Sequence, residues 1–244
     1  MEIEEAKIAI IGSNLEKVQQ RIAKAAERSG RHSGSVKLIA VTKLVSLDVI
    51  QAGIQNGITC FGENYADQAA EKIQALEGHT GVEWHMIGHI QSRKAQTVCE
   101  YFDFVHSVDR MKIARYLDRY SGEMNRVLPV LMEVNVSGED SKFGWPAYDE
   151  EGWENLLTPF RQIAELPNLE IRGLMSMPPL FEDPEKTRPL YKKLVRFRQY
   201  LQQEIPDVCW DELSIGTSFD YEVAIEEGAT MVRVGTDIFG SRPG

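Results

Sequence analysis

Short runs rich in β-branched residues alternate with longer amphipathic stretches along the chain, and this alternation constrains the fold more than any other feature. The runs lie at 36–43, 59–64, 84–88, 104–108, 127–136, 170–177, 212–216 and 231–235. The stretches between them repeat apolar residues at i, i+3 and i+4, as at 66–76, 110–120, 151–166 and 189–204. Because strands that alternate with helices form parallel βαβ units, we predict a (β/α)8 TIM barrel of the α/β class. No linker or low-complexity tract divides the chain, so a single domain over residues 1–244 is expected.

Residues 3–29 precede the first run and predict an additional N-terminal helix from their spacing of apolar residues. Within this segment, Gly12 and Ser13 follow a short apolar run and could imitate a strand with a glycine loop, as in dinucleotide-binding folds. No second or third glycine follows at the fingerprint spacing, which disfavours such a site. An open, doubly wound sheet is the alternative fold.

The charge of the chain argues against a nucleic-acid binder. Lys and Arg number 27 against 37 Asp and Glu, a net charge of −10, and the basic residues are scattered. The acidic start, residues 1–5, lacks the positive charge of a signal peptide, and no apolar run approaches a membrane span. Cys60, Cys99 and Cys209 form no CxxC pair, which disfavours a disulfide framework or a zinc knuckle. We expect a cytoplasmic monomer that binds neither nucleic acid nor membrane.

In barrels of this kind the chemistry lies at the carboxyl ends of the strands. Lys43 ends the first run, and the strand period of two places Ile39, Val41 and Lys43 on one face. If that face lines the barrel, desolvation favours the uncharged amine, which is the form that condenses with a carbonyl. A solvated lysine at a strand end is the alternative.

The last run places Arg233 on the same face as Met231 and Gly235, so a charged side chain is aimed inward from a core strand. A buried arginine needs an acceptor, and an internal salt bridge would be the ordinary one. Gly235 and the following Thr236 stand at the mouth, where glycine lets the backbone approach an anion.

The turn at 214–218 is rich in hydroxyls and leads into a helix predicted at 219–227. The first N–H groups of such a helix can bind an anion, although a plain Ser/Thr N-cap explains an isolated turn equally well. The loops after strands 7 and 8 are also where barrels most often hold phosphate. A lysine on strand 1, an inward arginine on strand 8 and two such turns therefore form a joint pattern.

Seven short motifs in this order resemble the pyridoxal 5′-phosphate homeostasis proteins, whose fold is that of the alanine racemase barrel domain. The resemblance covers about residues 10–242, with motifs at 40–43, 61–65, 83–88, 91–94, 172–175, 213–216 and 231–240. It implies that pyridoxal 5′-phosphate is the cofactor, held as an internal aldimine on Lys43. It also implies that Ser218, Gly235 and Thr236 hold the phosphate, that Arg233 faces the pyridine nitrogen, and that Asn64, Met175 and Ser214 surround the ring or phosphate.

The sequence departs from the family pattern near three motifs. Thr42 stands where the family usually has Ser, Leu44 and Val45 replace a Lys-Pro pair, and Thr217 replaces Met. Residues 88–91 also differ from the family's Gly-Pro-Leu-Gln. None of these changes removes an implied cofactor contact, but the mouth of the pocket is expected to differ in shape.

An arginine at the ring nitrogen implies a binding protein rather than a catalyst, because a guanidinium keeps that nitrogen unprotonated and the ring a weak electron sink. Related racemases add a second domain that supplies a tyrosine, and only 11 residues follow Arg233 here. The resemblance thus implies a carrier or buffer in intracellular vitamin B6 homeostasis, without established turnover, with PLP-dependent apoenzymes as candidate recipients. A PLP-dependent amino-acid racemase or lyase is the alternative.

Two further interpretations use residues outside this pattern. A metal-dependent hydrolase would use Glu83, His85, His89 and His106, although His85 and His89 ligate one metal only if both lie on one helix. An interaction scaffold would present Trp145, Tyr148 and Trp153, an aromatic cluster for which local packing is the simpler explanation. The loop at 137–142 could also bring Lys142 to the pocket mouth, where a solvated lysine is the simpler expectation. No metal ligand is assigned.

Overall fold

The computed structural model describes residues 2–240, and side chains from residue 5 onward. The strands are β1 (Lys37–Val41), β2 (Cys60–Glu63), β3 (Glu83–Met86), β4 (Phe104–Val108), β5 (Leu128–Asn135), β6 (Trp145–Pro146), β7 (Leu169–Met175), β8 (Glu212–Thr217) and β9 (Met231–Val234). The helices are α1 (Glu2–Arg28), α2 (Leu47–Gln55), α3 (Ala66–Ala75), α4 (Ala95–Tyr101), α5 (Met111–Glu123), α6 (Glu154–Ala164), α7 (Arg188–Glu204), α8 (Tyr221–Glu226) and α9 (Thr236–Phe239). Three 3₁₀ turns lie at Ser92–Lys94, Glu150–Gly152 and Pro184–Thr187.

Eight of the strands close into a parallel barrel. They follow the order β4-β3-β2-β1-β9-β8-β7-β5, and β4 also pairs with β5, which joins the two ends of the sheet. All of these pairings are parallel. The predicted (β/α)8 TIM barrel is confirmed, and the open doubly wound sheet is wrong.

The predicted strands coincide with the observed ones to within a few residues, and β4 matches its run exactly in both bounds. The difference that matters for the site concerns the first run, because β1 ends at Val41 and Lys43 lies in the turn that follows. The short β6, which pairs with the end of β5, was not predicted, because two residues are too short to show a period.

The N-terminal helix is confirmed as α1, and Gly12 and Ser13 lie within it rather than in a glycine loop. Ile11, Leu15, Val18 and Ile22 are buried on its inner face. On the outer side, Arg21 and Arg28 pair with Glu222 of α8 at 2.8 and 2.9 Å. Among the described residues, no helix is long and apolar enough to cross a membrane.

The aromatic cluster after β5 packs into the protein. Trp145 donates its indole N–H to the Val108 carbonyl at 3.0 Å and packs edge-on against Phe160. Trp153 is buried and donates to the Ala147 carbonyl at 3.1 Å. Only Tyr148 of the three predicted scaffold aromatics is exposed, so the geometry favours local packing over a partner surface.

Candidate functional site

A cavity of about 510 Å³ opens at the carboxyl ends of the strands. It lies at the mouth of the barrel, between the turn after β1 and the turns after β8 and β9. Its lining includes six of the eight residues predicted for the cofactor: Lys43, Asn64, Ser218, Arg233, Gly235 and Thr236. The walls are completed by residues that were not among those predicted to bind the cofactor: Val41, Ile87, Met177, Leu180, Thr217, Phe219 and Asp237.

The turn that carries Lys43 is held from beneath by a buried polar group. Thr42 is fully buried and donates its hydroxyl to Glu63 Oε1 at 2.8 Å. Lys72 of α3 donates to the same carboxylate oxygen at 2.7 Å and to the Thr42 carbonyl at 2.9 Å. Leu44, the next residue, has a φ of 61°, in the left-handed region. These contacts position the half-buried Lys43 at the cavity.

Two turns form the hydroxyl-rich wall of the cavity. The Gly235 N–H donates to Ser218 Oγ at 3.1 Å and so joins the turn after β9 to the turn after β8. Gly216 has a φ of +88°, and a Cβ there would lie 2.8 Å from Tyr221 Cα, so only glycine allows this approach. The predicted helix at 219–227 is α8, which begins at Tyr221 instead of residue 219.

Asp220 accounts for that later start. Its Oδ1 accepts the Thr217 N–H at 2.8 Å and the Thr217 hydroxyl at 3.0 Å. Its other oxygen accepts the phenol of the buried Tyr191, and burial together with the Asp220 charge raises the pKa of that phenol. Because the carboxylate takes up the turn's own donors, it fixes the turn in place and leaves Ser218 facing the cavity.

Arg233 points into the barrel, as the strand period predicted, and only 4% of its surface is exposed. Its Nη1 donates to the Ser214 carbonyl at 2.6 Å and to Ser214 Oγ at 2.7 Å, and its Nη2 donates to the Ser176 carbonyl at 3.1 Å. Among residues 5–240 its acceptors are these neutral oxygens and not a carboxylate, so the alternative of an internal salt bridge is not observed. Its positive charge therefore remains available to a ligand in the cavity.

The two remaining predicted residues lie behind the cavity wall. Ser214 is fully buried beneath Arg233, and Met175, its partner in the pairing of β7 with β8, is 1% exposed. Met177, two residues further on, lines the cavity in the place expected for Met175. Residue 177 falls beyond the end of β7, where the chain leaves the strand and the side-chain alternation ends.

A second chamber of about 440 Å³ adjoins the first and shares Asn64, Ile87 and Met177 with it. Glu133 of β5 lines this chamber at 8% exposure, and its Oε2 has no hydrogen-bond partner among the described residues. Burial and the nearby Asp109 raise the pKa of Glu133 to about 7. Glu133 was not predicted from the sequence, because an isolated glutamate in a strand gives no signal of its burial.

The same chamber contains His89 and Lys142. His89 lies on the loop after β3, 2.9 Å from Asp109 Oδ2, and its ring stacks on Phe143 with centroids 3.8 Å apart. Lys142 lines the chamber, so the loop at 137–142 does reach the region of the mouth.

The residues of the metal hypothesis do not form one site. His85 is buried inside the barrel and bonds to His106, whereas His89 pairs with Asp109 outside it. Cys60, Glu83 and His85 do bring three potential ligand atoms close together. However, the Lys37 ammonium lies 3.0 Å from the Glu83 oxygen that both other residues face, so this carboxylate already has a cation.

Asn64 completes the wall between the two chambers. Gly88 packs directly on its backbone, and a Cβ at residue 88 would lie 2.5 Å from the Asn64 carbonyl oxygen. The Asn64 Oδ1 atom has no partner among the described residues. An amine, a guanidinium and a hydroxyl-lined wall at the mouth of a parallel barrel thus define a site for a small anionic carbonyl compound.

Comparison with known proteins places the chain in a family. The model of the alanine racemase N-terminal domain matches residues 13–243. The chain is 41% identical to the pyridoxal phosphate homeostasis protein of Aquifex aeolicus, over 93% of this chain and 96% of that protein. It is 37% identical to the protein of the same name from Escherichia coli K12, over 95% of this chain and 97% of the relative. The chain belongs to the family of pyridoxal phosphate homeostasis proteins.

Solved structures agree with this assignment. PipY of Synechococcus elongatus, with pyridoxal phosphate bound, superposes with a TM-score of 0.83 at 33% identity and covers 94% of this chain and all of that one. An alanine racemase of Clostridium difficile superposes with a TM-score of 0.69 at 11% identity, over 97% of this chain and 57% of the racemase. At 11% identity, the similarity to the racemase shows a shared fold and nothing more.

Proposed function

We propose that this protein binds pyridoxal 5′-phosphate covalently at Lys43 and acts as its carrier or buffer in vitamin B6 homeostasis. The main observation behind the proposal is that an amine, a buried guanidinium and a hydroxyl-rich wall line one cavity. These three groups match the aldehyde, the ring nitrogen and the phosphate of the cofactor. The names of the relatives and the cofactor bound to PipY support the same ligand.

The residues of the cavity fit the cofactor. About 510 Å³ accommodates a molecule of this size, since ligand sites of proteins commonly span about 300–1,000 Å³. Ser218, Gly235 and Thr236 stand together at one end, where hydroxyl and N–H donors suit a phosphate. Val41, Ile87 and Met177 add the apolar walls that an aromatic ring requires.

Within this site each residue has a defined task. Lys43 supplies the amine, and when bound the cofactor supplies an aldehyde that condenses with it. Arg233 would donate a hydrogen bond to the ring nitrogen of the bound cofactor, while Ser214 beneath it holds the guanidinium. Asn64 lies beside the ring, and Met175 supports the floor from behind. Because an arginine donor leaves the ring nitrogen unprotonated, this arrangement favours storage and transfer over carbanion chemistry.

The proposal also includes the domain organisation, the cellular location and the recipients of the cofactor. Residues 1–244 form a single domain, and the protein is a cytoplasmic monomer that presents its cofactor to PLP-dependent apoenzymes. The opening of the cavity beside Leu180 and Phe219, both exposed, leaves the mouth accessible to such a recipient.

The test combines absorption spectroscopy with borohydride reduction of the protein after addition of pyridoxal 5′-phosphate. A band at long wavelength should form, and reduction should fix the label to the peptide that contains Lys43. Lys43→Ala should abolish the label, whereas the matched control Lys142→Ala, at the neighbouring chamber, should retain it. A label on another lysine in the wild-type protein, or no band, overturns the proposal.

A further inference from the structure

A chain of polar side chains runs through the interior of the barrel, starting from the cofactor cavity. Arg233 Nη1 lies 2.7 Å from Ser214 Oγ, Ser214 Oγ lies 2.8 Å from His106 Nδ1, and His106 Nε2 lies 2.8 Å from His85 Nδ1. His85 Nε2 faces Glu83 Oε2 at a longer 3.4 Å. These residues belong to β9, β8, β4 and β3, so the chain crosses the barrel between strands that are distant in sequence.

The two ends of the chain determine the direction of every hydrogen bond in it. Arg233 can only donate, so Ser214 Oγ accepts from it, and the direction of the other bonds follows from the Glu83 carboxylate, which can only accept, so that the Ser214 hydroxyl donates to His106 Nδ1. His106 must then carry its proton on Nε2 and donate to His85 Nδ1. His85 in turn carries its proton on Nε2 and donates to Glu83, whose carboxylate can only accept.

Both histidines must be neutral for this arrangement, and their surroundings make them so. His85 and His106 are fully buried, and Phe104 packs against both rings, with its plane 11° from that of His85. Burial and the nearby positive charges of Lys37 and Arg233 lower the pKa of His106 well below its usual value, and burial lowers that of His85 to about 4. If the hydrogen bonds ran in the reverse direction, the unprotonated Nε2 of His85 would face the Glu83 carboxylate, and two acceptors would repel each other.

We propose that His106 and His85 are positioning residues for Arg233, acting through Ser214 in a one-directional hydrogen-bond chain that ends on Glu83. The chain turns a Ser214 lone pair toward the guanidinium and so holds Arg233 in the cavity wall. Glu83 and its partner Lys37 lie at the amino ends of β3 and β1, opposite the cavity. The acceptor at that end of the barrel therefore helps to set the orientation of the arginine at the other end.

This inference rests on the proposed function for its consequence, but its geometry can be tested without cofactor. Nitrogen-15 NMR of the cofactor-free protein distinguishes protonated from unprotonated ring nitrogens. The wild-type protein should show His106 and His85 each protonated on Nε2 only. A His106 protonated on Nδ1 overturns the proposal, whatever the variants do.

Variants at Glu83 then test the coupling, because this side chain is half-exposed and tolerates exchange. Glu83→Gln keeps an acceptor oxygen and should preserve both tautomers and the affinity for pyridoxal 5′-phosphate. The charge-swapped double variant Lys37→Glu/Glu83→Lys keeps an ion pair but presents a donor to His85 Nε2. It should reverse both tautomers and weaken cofactor binding about three- to tenfold, since Ser214 Oγ then accepts from both His106 and Arg233 while its own hydroxyl proton loses its acceptor, which weakens its bond to Arg233.

Equilibrium dialysis with pyridoxal 5′-phosphate gives the affinities, and thermal unfolding confirms that each variant is folded. Reversed tautomers with unchanged affinity would overturn the positioning role. Should the swapped protein not fold, Ser214→Ala provides the second measurement: it should cause a similar loss of affinity, while His106 should stay protonated on Nε2 because its bond to His85 remains. Absence of cofactor binding in the wild-type protein would instead refute the proposed function and leave the tautomer assignment to stand.

Discussion

Lys72 Nζ lies 2.7 Å from Glu63 Oε1, and this ion pair sits directly beneath the turn that presents Lys43. Glu63 is fully buried at the end of β2, whereas the Lys72 side chain from α3 retains 16% exposure. Thr42 donates to the same oxygen, so the backbone next to Lys43 is tied to both partners. The lysine that forms the proposed bond and the lysine that supports it have separate tasks.

Lys72→Met should destabilise the protein by about 2–4 kcal/mol, because it leaves the buried Glu63 carboxylate without its cation. Urea unfolding measures this loss. The matched control is Lys94→Met, which breaks the exposed pair with Asp67 and should cost about 0–1 kcal/mol. Equal losses for the two variants would show that Glu63 is satisfied without Lys72.

Ser218→Ala and Thr236→Ala should each weaken binding of pyridoxal 5′-phosphate by about 1.5–3 kcal/mol, the value of a charge-assisted hydrogen bond. Pyridoxal, which lacks the phosphate, is the internal control: it should bind much more weakly, and neither variant should change its affinity. Dialysis against both ligands measures the difference. Equal binding of pyridoxal and its phosphate by the wild-type protein contradicts an anion site.

Glu133 should make stability depend on pH. Its folded pKa of about 7 lies above the ordinary 4.5, mainly through burial and secondly through Asp109, while Arg233 and Arg110 oppose the shift. The protonated form is thus favoured on folding. Its stabilising contribution is complete below about pH 4.5 and is lost as the pH rises through about 7.

Glu133→Gln should therefore be more stable than the wild-type protein at pH 8, by about 1–3 kcal/mol, and similar to it near pH 4.5. Urea unfolding at the two pH values measures this. Glu139→Gln, in the exposed loop after β5, should show no such dependence. A Glu133→Gln protein that is less stable at pH 8 would mean that the carboxylate has a stabilising partner.

Amino acids should exchange their α-proton no faster with this protein than with free pyridoxal 5′-phosphate. Arg233 lines the cavity, and a guanidinium that donated to the ring nitrogen, as proposed, would leave it without a proton and the ring a weak electron acceptor. Deuterium incorporation into alanine, serine and a branched amino acid in heavy water measures the exchange. Substantial exchange that disappears in Lys43→Ala would establish the racemase or lyase alternative.

Patterns within single segments of the sequence predicted much of the fold and part of the site. The runs of β-branched residues located all eight barrel strands, because a buried parallel strand needs such residues over its whole length. The period of two correctly aimed Arg233 into the barrel. The same period predicted Lys43 on the inward face. Lys43 does line the cavity, although β1 ends at Val41 and Lys43 lies in the turn that follows. Met175, which the family resemblance implied near the ring or phosphate, is buried, and Met177 lines the cavity.

The sequence by itself determined the strands to within a few residues, their alternation with helices and the inward face of Arg233, since all of these follow from periodicities within single segments. Only the tertiary structure decided which distant side chains meet. The pairing of Lys72 with Glu63, the solitary burial of Glu133 and the chain from Arg233 to Glu83 depend on strand register and barrel closure. Distances of about 3 Å between segments far apart in sequence leave no local trace, because the same residue types serve equally well on a solvated surface.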